Sequence, residues 1–318
     1  MKETSLKQRI GEEVTQFFII RDIEVRTKKT DNTPYIVLEL GYPAGRIWAN
    51  IWEDTEAFLA EYQHGDIIKI QGIIELYKEQ TQIRIIKRRK VQPADNVRPE
   101  DLLPVYSGDY EALKKRLPKV IKEIKDQFLQ KLCEMLLLDT EFGEQFCLAP
   151  GGKLWHHEYI GGLLEHTLAM VDLCAAISER YPYINRDLLR TGALLHDVGK
   201  VESYQTVPYI EYSDEGRLIG HVVLGYQRVQ ETINTIPDFP QETAKQLLHL
   251  ILSHQGSLEN ASPVIPMTSE GIILYYADQI DSNLNAFQRI TAEQKSPHKR
   301  WSNYVNIIDR FIYFGDSE

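Results

Sequence analysis

The stretch RDLLRTGALLHDVGK, residues 186–200, decides how the second half of the chain folds. Its small and apolar side chains recur at steps of three and four, which predicts a helix. Gly199 suits the left-handed turn that ends many helices, so we expect the helix to stop there. His196 and Asp197 would then lie at a fraying helix terminus, where both side chains can turn toward one divalent metal ion.

A His-Asp pair alone is a weak signal, because a terminal histidine beside a capping aspartate occurs by chance in many chains. Further ligand-type residues in other apolar, helix-periodic segments strengthen it. Imidazole and carboxylate groups are costly to bury unless they are paired or bind a metal. Packing alone therefore accounts poorly for their recurrence. These residues are His166 in GGLLEHTLAMVDLCAAI, His221 in LIGHVVLGYQRV, His254 in LLHLILSHQGS and Asp278 in SEGIILYYADQIDSNLNAF.

The composition is that of an ordinary globular protein, with 318 residues, 43% apolar and 26% charged. This length is enough for two domains. No apolar run is long enough to span a bilayer, and the first residues are too polar for a signal peptide. Cys133, Cys147 and Cys174 form neither a CxxC pair nor a disulfide framework. We therefore predict a cytoplasmic protein without a membrane partner.

The negative charge is unevenly distributed. The net charge is −10, yet residues 1–95 hold 15 basic and 15 acidic side chains, so the excess lies in the remainder. The carboxylate ligands of a metal site would account for part of this excess negative charge. Simple solubility of an acidic domain accounts for it equally well, and both interpretations stay open.

Residues 14–92 predict five strands rich in β-branched and aromatic residues, with a polar helical piece between the third and the fourth. This is the pattern of an OB-fold barrel. A proline-containing linker follows at 93–108, and the pattern from residue 109 onward is helical. The predicted fold is therefore α+β and multidomain: an all-β OB-fold nucleic-acid-binding domain at 1–92, then an all-α domain at 109–318.

An OB-fold barrel binds single-stranded nucleic acid with aromatic side chains that stack on bases and cations that contact phosphates. Trp48 and Trp52 share a face if the third strand continues, but tryptophans in the barrel core would give the same pattern. The candidate nucleic-acid-binding residues are Trp48, Trp52, Tyr35, Tyr77, Arg46 and Arg84.

Three local features of the helical half are also predicted. Pro118 implies a break or kink in the first long helix. Residues 207–220 indicate a hairpin that turns at 213–216. The aromatic, amphipathic segment RWSNYVNIIDRFIYF indicates a closing core helix or an oligomer contact.

Together these residues resemble a known family. HDVGK, with a His before it and Asp278 after it, resembles the signature of HD-domain metal-dependent phosphohydrolases. The segments HHEYIGGLLEHT (156–167), YSDEGRLIGH (212–221), SHQGSLENASPVIPMT (253–268) and YYADQIDS (275–282) are similar to the YhaM-type 3′–5′ exoribonucleases, which join an OB-like domain to an HD domain. One departure is His254-Gln255-Gly256, where that family commonly has paired histidines.

The resemblance implies a complete single-metal set of His166, His196, Asp197 and Asp278. Two imidazoles and two carboxylates with open positions suit Mn²⁺, our first choice, with Co²⁺, Fe²⁺ or Mg²⁺ as alternatives. A second ion on His221 and His254 would make Asp197 a bridge, although Gln255 weakens that interpretation. Lys200 and Asp197 are assigned catalytic roles, with Lys200 stabilising the charge on the phosphate. Asp281 and His157 would support a metal ligand or contact the substrate. His156 and His157 would either contact a phosphate or be polar residues at the start of a helix.

We therefore expect a metal-dependent 3′–5′ exonuclease that degrades single-stranded RNA, and also single-stranded DNA, to mononucleotides by attack of metal-activated water on the phosphodiester. The RNA preference and the polarity come from the resemblance. Two alternatives stay open: an HD-domain phosphohydrolase of small nucleotides, and a non-catalytic single-strand-binding protein. Self-association into a homo-oligomer also stays open.

Overall fold

The computed structural model describes residues 5–77, 80–153, 157–296 and 299–315. The chain forms two compact units. The first comprises Met1–Val105 with Thr206–Ile210, and the second comprises Tyr106–Gln205 with Glu211–Glu318. The domain ranges drawn from the sequence remain a proposal. In the described part of the chain, no helix is both long and apolar enough to cross a membrane.

The first unit is a closed five-stranded barrel with strand order β1-β2-β3-β5-β4, which confirms the predicted OB-like fold. Apolar residues alternate along each strand, so one face of every strand fills the barrel. On the second strand, for example, Ile36, Leu38 and Leu40 are fully buried. The elements of this unit are β1 (Glu13–Thr27), β2 (Pro34–Tyr42), β3 (Gly45–Ile51), α1 (Thr55–Glu61), β4 (Ile67–Tyr77) and β5 (Gln80–Lys90).

The second unit is helical, as predicted, and packs around its own apolar core. Several helices begin at side chains that cap free backbone N–H groups: Asp109 accepts from Ala112, Asn185 from Leu188 and Thr268 from Gly271. The elements are α2 (Tyr110–Lys122), α3 (Gln127–Leu137), α4 (Glu141–Leu148), α5 (Gly162–Ser178), α6 (Arg186–Leu195), α7 (Lys200–Ser203), β6 (Tyr204–Gln205), β7 (Glu211–Tyr212), α8 (Asp214–Leu218), α9 (His221–Asn234), α10 (Gln241–Ser253) and α11 (Ser269–Gln294).

Three local predictions for this unit are overturned at least in part. Helix α2 continues through Pro118 without a break, and its buried face, Leu117, Val120 and Ile121, packs into the core. The hairpin pairs β6 with β7, whereas the expected turn at 213–216 instead begins α8. Ser213 causes this change by capping the helix, since its side chain accepts a hydrogen bond from the backbone of α8. The described residues after α11 form no α-helix: two antiparallel bridges close the segment and Ile312 packs inside, while the alternative of an oligomer contact stays a prediction.

Gly199 is required for close packing, and not for the left-handed turn that the sequence suggested. Its φ is −68°, an ordinary right-handed value, and α6 has already ended at Leu195. A Cβ at this position would lie 2.1 Å from the carbonyl oxygen of His221 and 2.3 Å from the nitrogen of Gly225. The glycine therefore lets the turn after His196 approach the start of α9, which brings His221 to the same place.

Candidate metal centre and nucleic-acid face

Four histidines and two aspartates converge inside the helical unit. His166 lies in α5, His196 directly follows the last residue of α6, and Asp197 comes next. His221 begins α9, His254 directly follows the last residue of α10, and Asp278 lies in α11. Five helices thus contribute to one cluster, and all of these side chains except that of His221 are almost fully buried.

Asp197 lies at the centre of the cluster, and its two carboxylate oxygens face different histidine pairs. Oδ2 lies 3.5 Å from Nε2 of His166 and 3.4 Å from Nε2 of His196. Oδ1 lies 3.4 Å from Nε2 of both His221 and His254. Among the described residues no donor makes a hydrogen bond to Oδ1, although this atom is buried. A buried carboxylate oxygen without a donor is the feature that a bound cation would satisfy.

Backbone carbonyls fix the orientation of two of the imidazole rings. Nδ1 of His196 donates to the carbonyl of Ala193 at 3.0 Å, and Nδ1 of His254 donates to that of Ile251 at 2.7 Å. Because a carbonyl only accepts, Nδ1 must carry the proton in both rings. When either ring is neutral, its Nε2 therefore presents a lone pair to the cluster, which is the tautomer that a metal ligand needs.

A carboxylate orients the ring of His166. Its Nδ1 donates to Oδ2 of Asp281 at 2.6 Å, while Nε2 lies 3.3 Å from Oδ1 of Asp278. Burial alone would lower the pKa of His166, but these two carboxylates raise it to about 9. A carboxylate behind a histidine is the usual support of a metal ligand.

The next layer of this support contains His157, which the sequence analysis named together with Asp281, and also Glu165 and Tyr159, which it missed. His157 is buried, and its Nε2 lies 2.9 Å from Oδ2 of Asp281. Its Nδ1 lies 2.9 Å from Glu165, which also accepts a hydrogen bond from the Tyr159 hydroxyl. Glu165 directly precedes His166 in the sequence, and that adjacency is the one signal that could have identified it. His156 lies outside the described residues.

Neighbouring charges and burial together set the protonation of Asp197 and His221. Burial would raise the pKa of Asp197, but the Lys200 ammonium and the neighbouring His196 hold it well below its usual value. For His221, burial dominates and lowers the pKa to about 3, although Asp197 opposes this shift. At neutral pH the cluster therefore contains an ionised carboxylate and a neutral imidazole.

The donor set fits one or two divalent ions. Within each of two groups, His166-His196-Asp197 and Asp197-His221-His254, the ligand atoms lie within 4.8 Å of one another. Asp278 extends the first group through its contact with His166. Imidazoles with carboxylates and open positions suit first-row divalent ions better than a closed tetrahedral zinc site. Asp197 is the residue that two ions would share.

On the barrel, the structure brings three of the predicted aromatic residues to the outer face of β2 and β3. Tyr35 and Trp52 stack with ring centroids 4.8 Å apart, and Lys28 lies 5.8 Å above the indole. Trp52 is 43% exposed, and Trp48 is half-buried beside Glu39 and Gln82. Neither tryptophan is part of the barrel core. The core interpretation of these residues therefore does not hold.

The other predicted barrel residues are less available to a nucleic acid. Nη1 of Arg46 donates to Glu39 at 3.0 Å, and Nε of Arg84 lies 3.3 Å from Glu75. Each of these two cations thus has a carboxylate partner, which lowers its attraction for phosphate. Tyr77 is exposed at the end of β4, a strand that pairs with neither β2 nor β3.

Comparison with known proteins agrees with this architecture. The HD domain family matches residues 163–283, which include all six residues of the cluster. The 3′–5′ exoribonuclease YhaM of Oceanobacillus iheyensis is 30% identical over 293 residues, 91% of this chain and 90% of that protein. The chain belongs to the YhaM 3′–5′ exoribonuclease family. The family member of Bacillus subtilis is 29% identical over 304 residues, 96% of this chain and 95% of its own.

Two solved structures are similar to parts of this chain. The HD domain of the Listeria monocytogenes phosphodiesterase PgpH is 17% identical, with a TM-score of 0.31, over 49% of this chain and 81% of that one. A replication protein A heterotrimer bound to single-stranded DNA is 16% identical, with a TM-score of 0.22, over 27% and 62% of the two chains.

Two residues of this YhaM-family enzyme make contacts that the sequence analysis did not foresee. Nζ of Lys200 is buried and binds Oδ2 of Asp197 and the carbonyl of Gly151, both at 2.6 Å. Its ammonium therefore acts on Asp197, and its role toward phosphate stays a prediction. The amide nitrogen of Gln255 lies 2.9 Å from Nε2 of His254 and 3.5 Å from Nε2 of His221. This amide occupies the edge of the second histidine pair.

Proposed function

We propose that this protein is a divalent-metal-dependent exoribonuclease that shortens single-stranded RNA from its 3′ end. Relatives named 3′–5′ exoribonuclease YhaM match this chain over nearly their whole length. The observation that carries the chemistry is Asp197, a buried carboxylate between two histidine pairs with one oxygen that lacks a donor. A metal bound there supplies Lewis acidity toward phosphate and an activated water.

The chain's own residues prepare the site. His166, His196, Asp197 and Asp278 form the proposed primary ligand set, and His221 and His254 form the second histidine pair. Asp281 orients His166, while His157 supports Asp281 from behind. Lys200 keeps Asp197 ionised. Because the cluster is almost fully buried, water competes little with these contacts.

The barrel supplies the surface that binds the nucleic-acid strand. Stacking of bases on aromatic side chains tolerates any sequence because every base has a π-face. The Tyr35–Trp52 pair with Lys28 above it offers such a surface, and Trp48 extends it along β3. We propose single-stranded RNA as the main partner, single-stranded DNA as a second substrate, mononucleotides as products and Mn²⁺ as the preferred ion.

The test uses a 5′-labelled single-stranded RNA, Mn²⁺, the wild type and the Asp197→Asn variant, with EDTA as the metal-free control. We expect a ladder that shortens from the 3′ end, and no ladder with the variant or with EDTA. A circular RNA of the same sequence should stay intact because it has no end. A body-labelled RNA should yield mononucleotides.

Other results would contradict the proposal. An intact RNA together with hydrolysis of free nucleotides would assign the site to a phosphohydrolase of small nucleotides. Tight strand binding with no turnover of either substrate would leave a non-catalytic binding protein. A product pattern that the Asp197→Asn variant shares with the wild type would place the chemistry elsewhere.

A further inference from the structure

The described residues after α11 form a short hairpin whose inner face is closed by a small apolar core. Antiparallel bridges pair its two arms. Ile308, Ile312 and Phe314 are buried on the inner face, where they pack with Ile290 of α11. The same helix carries Asp278 into the metal cluster. The hairpin is therefore anchored to an element that also holds a proposed metal ligand.

The outer face of this hairpin exposes four large aromatic side chains. Trp301 is 53% exposed, Tyr304 47%, Phe311 56% and Tyr313 51%. Side chains of an extended segment alternate between its two faces, so the burial of Ile312 directs its two aromatic neighbours outward. Packing of the unit does not account for rings that are half exposed. We call these four residues the outer hairpin face.

The four rings of the outer hairpin face form two pairs. Trp301 and Tyr313, which bridge the two arms, have ring centroids 4.8 Å apart. The centroids of Tyr304 and Phe311 are 5.1 Å apart. Because Phe311 and Tyr313 are two positions apart on one arm, the pairs follow one another along the hairpin. A succession of exposed rings is the kind of surface on which a single strand stacks its bases.

Each ring pair has a cation beside it. Cζ of Arg300 lies 5.7 Å from the centre of the Tyr313 ring, and its Nη2 donates to the Tyr313 hydroxyl at 2.9 Å. Arg310 is exposed and directly precedes Phe311 in the chain. Aromatic rings that alternate with cations suit a ligand that alternates bases with phosphates.

Two cations of the hairpin bond to neutral groups. Nζ of Lys299 donates to the side-chain oxygen of Asn303 at 3.1 Å, and Nε of Arg310 donates to the carbonyl of Ile308 at 2.8 Å. Neither bond offsets the positive charge. The predicted arginines of the barrel, by contrast, have carboxylate partners. Asp309, the acidic residue within 299–315, accepts a hydrogen bond from the Tyr304 hydroxyl.

We propose that the outer hairpin face binds single-stranded RNA, with bases stacked on the two ring pairs and phosphates beside Lys299, Arg300 and Arg310. This inference rests on the proposed exoribonuclease function and extends it, because it gives the helical unit a strand-binding surface of its own. The apolar core of the hairpin holds the rings in place before RNA arrives, so little ordering is required on binding.

Binding can be measured without cleavage by fluorescence anisotropy of a labelled single-stranded RNA with the full chain in EDTA. Circular dichroism checks the folding of each variant. Trp301→Ala and Phe311→Ala should each weaken binding by about 5- to 150-fold, the contribution of one stacked base. Tyr183→Ala is the matched control, since Tyr183 is a 72% exposed aromatic residue of the helical unit outside the hairpin. It should bind RNA as the wild type does.

Arg310→Gln tests the phosphate contact separately. Each phosphate contact on a single strand contributes about 0.7 to the slope of log affinity against log salt concentration. This variant should reduce the slope by about that amount, whereas Trp301→Ala should lower the affinity at every salt concentration and leave the slope unchanged.

Three results would overturn the proposal. Hairpin variants that bind RNA as tightly as the wild type would show that this face binds no RNA; a 3′ ladder that persists in Mn²⁺ would then leave the proposed exoribonuclease function intact. Variants that change the mass of the protein in light scattering, with RNA affinity unchanged, would assign the face to self-association. A salt slope unaltered by Arg310→Gln would remove the phosphate contact. Weakened RNA binding by the hairpin variants, together with a wild type that makes no ladder, would support this face and contradict the proposed activity.

Discussion

Oδ2 of Asp281 accepts a hydrogen bond from Nδ1 of His166 at 2.6 Å, although the two residues are 115 positions apart in the chain. This contact directs the opposite nitrogen of the ring toward Asp197 and Asp278. The orientation of a proposed metal ligand on α5 thus depends on a carboxylate carried by α11. The contact can be tested through metal binding alone, without any assay of catalysis.

At pH 9, where the proton on His166 competes little with the ion, Asp281→Ala should weaken Mn²⁺ binding by about 10- to 100-fold, because the ring of His166 loses the group that orients it. Titration calorimetry measures this change directly. Asp172→Ala is the control: Asp172 lies on the same helix as His166, but it is exposed and pairs with Arg116. Equal affinities for the two variants would contradict the proposed support by Asp281.

Gln255 should make the second histidine pair the weaker metal site. An amide is a poorer ligand than an imidazole for first-row divalent ions, so the wild type should bind one ion tightly and the next less tightly. Gln255→His should tighten the second binding event, as followed by Mn²⁺ titration with electron paramagnetic resonance. Gln241→His, at the exposed start of α10, should leave both events unchanged. An unaltered titration of Gln255→His would show that this position does not face an ion.

Metal affinity should rise with pH up to about pH 9. The raised pKa of His166 means that its imidazole is protonated at neutral pH in the metal-free protein, and the ion must displace that proton. Each unit of pH below 9 should then cost up to about a tenfold loss of apparent affinity. The low pKa of His221 adds no dependence in this range, because that ring is already neutral.

Calorimetry in buffers of different ionisation enthalpy measures the protons released on binding of the ion. About one proton should leave at pH 7 and fewer as the pH approaches 9. His249→Ala, which removes a histidine outside the cluster, should give the same slope. An affinity that does not change between pH 7 and pH 9 would contradict the assigned proton on His166.

Trp52→Ala should weaken binding of single-stranded RNA by about 1–3 kcal/mol, the contribution of one stacked base. Fluorescence anisotropy in EDTA measures binding without cleavage. Tyr183→Ala removes an exposed aromatic residue outside the barrel and should not change the affinity. Hydrolysis of very short substrates should be insensitive to Trp52→Ala, because a substrate bound by the helical unit alone gains nothing from stacking on the barrel. An unchanged affinity for long RNA would remove Trp52 from the binding surface.

Much of the fold could be predicted from local patterns. The five barrel strands could be predicted from the alternation of apolar residues. A strand in a barrel buries one face, so every second residue along it is apolar. The candidate ligands could be named because an imidazole or carboxylate in an apolar helical segment is costly to bury unless it is paired or binds a metal. His166, His196, Asp197 and Asp278 were identified in this way and through the family resemblance, and the structure brings them together.

Features that depend on contacts between distant segments could not be predicted. Gly199 leaves room for the backbone at the start of α9. The residues beside it in the sequence do not indicate this contact. The support of His157 by Glu165, and the engagement of Lys200 with Asp197, depend on where helices cross. Pro118 suggested a break in a helix that the core in fact holds together.

The sequence by itself determined most of the elements and which residues have ligand chemistry, because both depend on side-chain type and on spacing within one segment. Only the tertiary structure decided how those ligands share Asp197 and which rings are oriented for a metal. These properties depend on distances between atoms that the chain separates by tens of residues. Packing of the whole helical unit sets those distances.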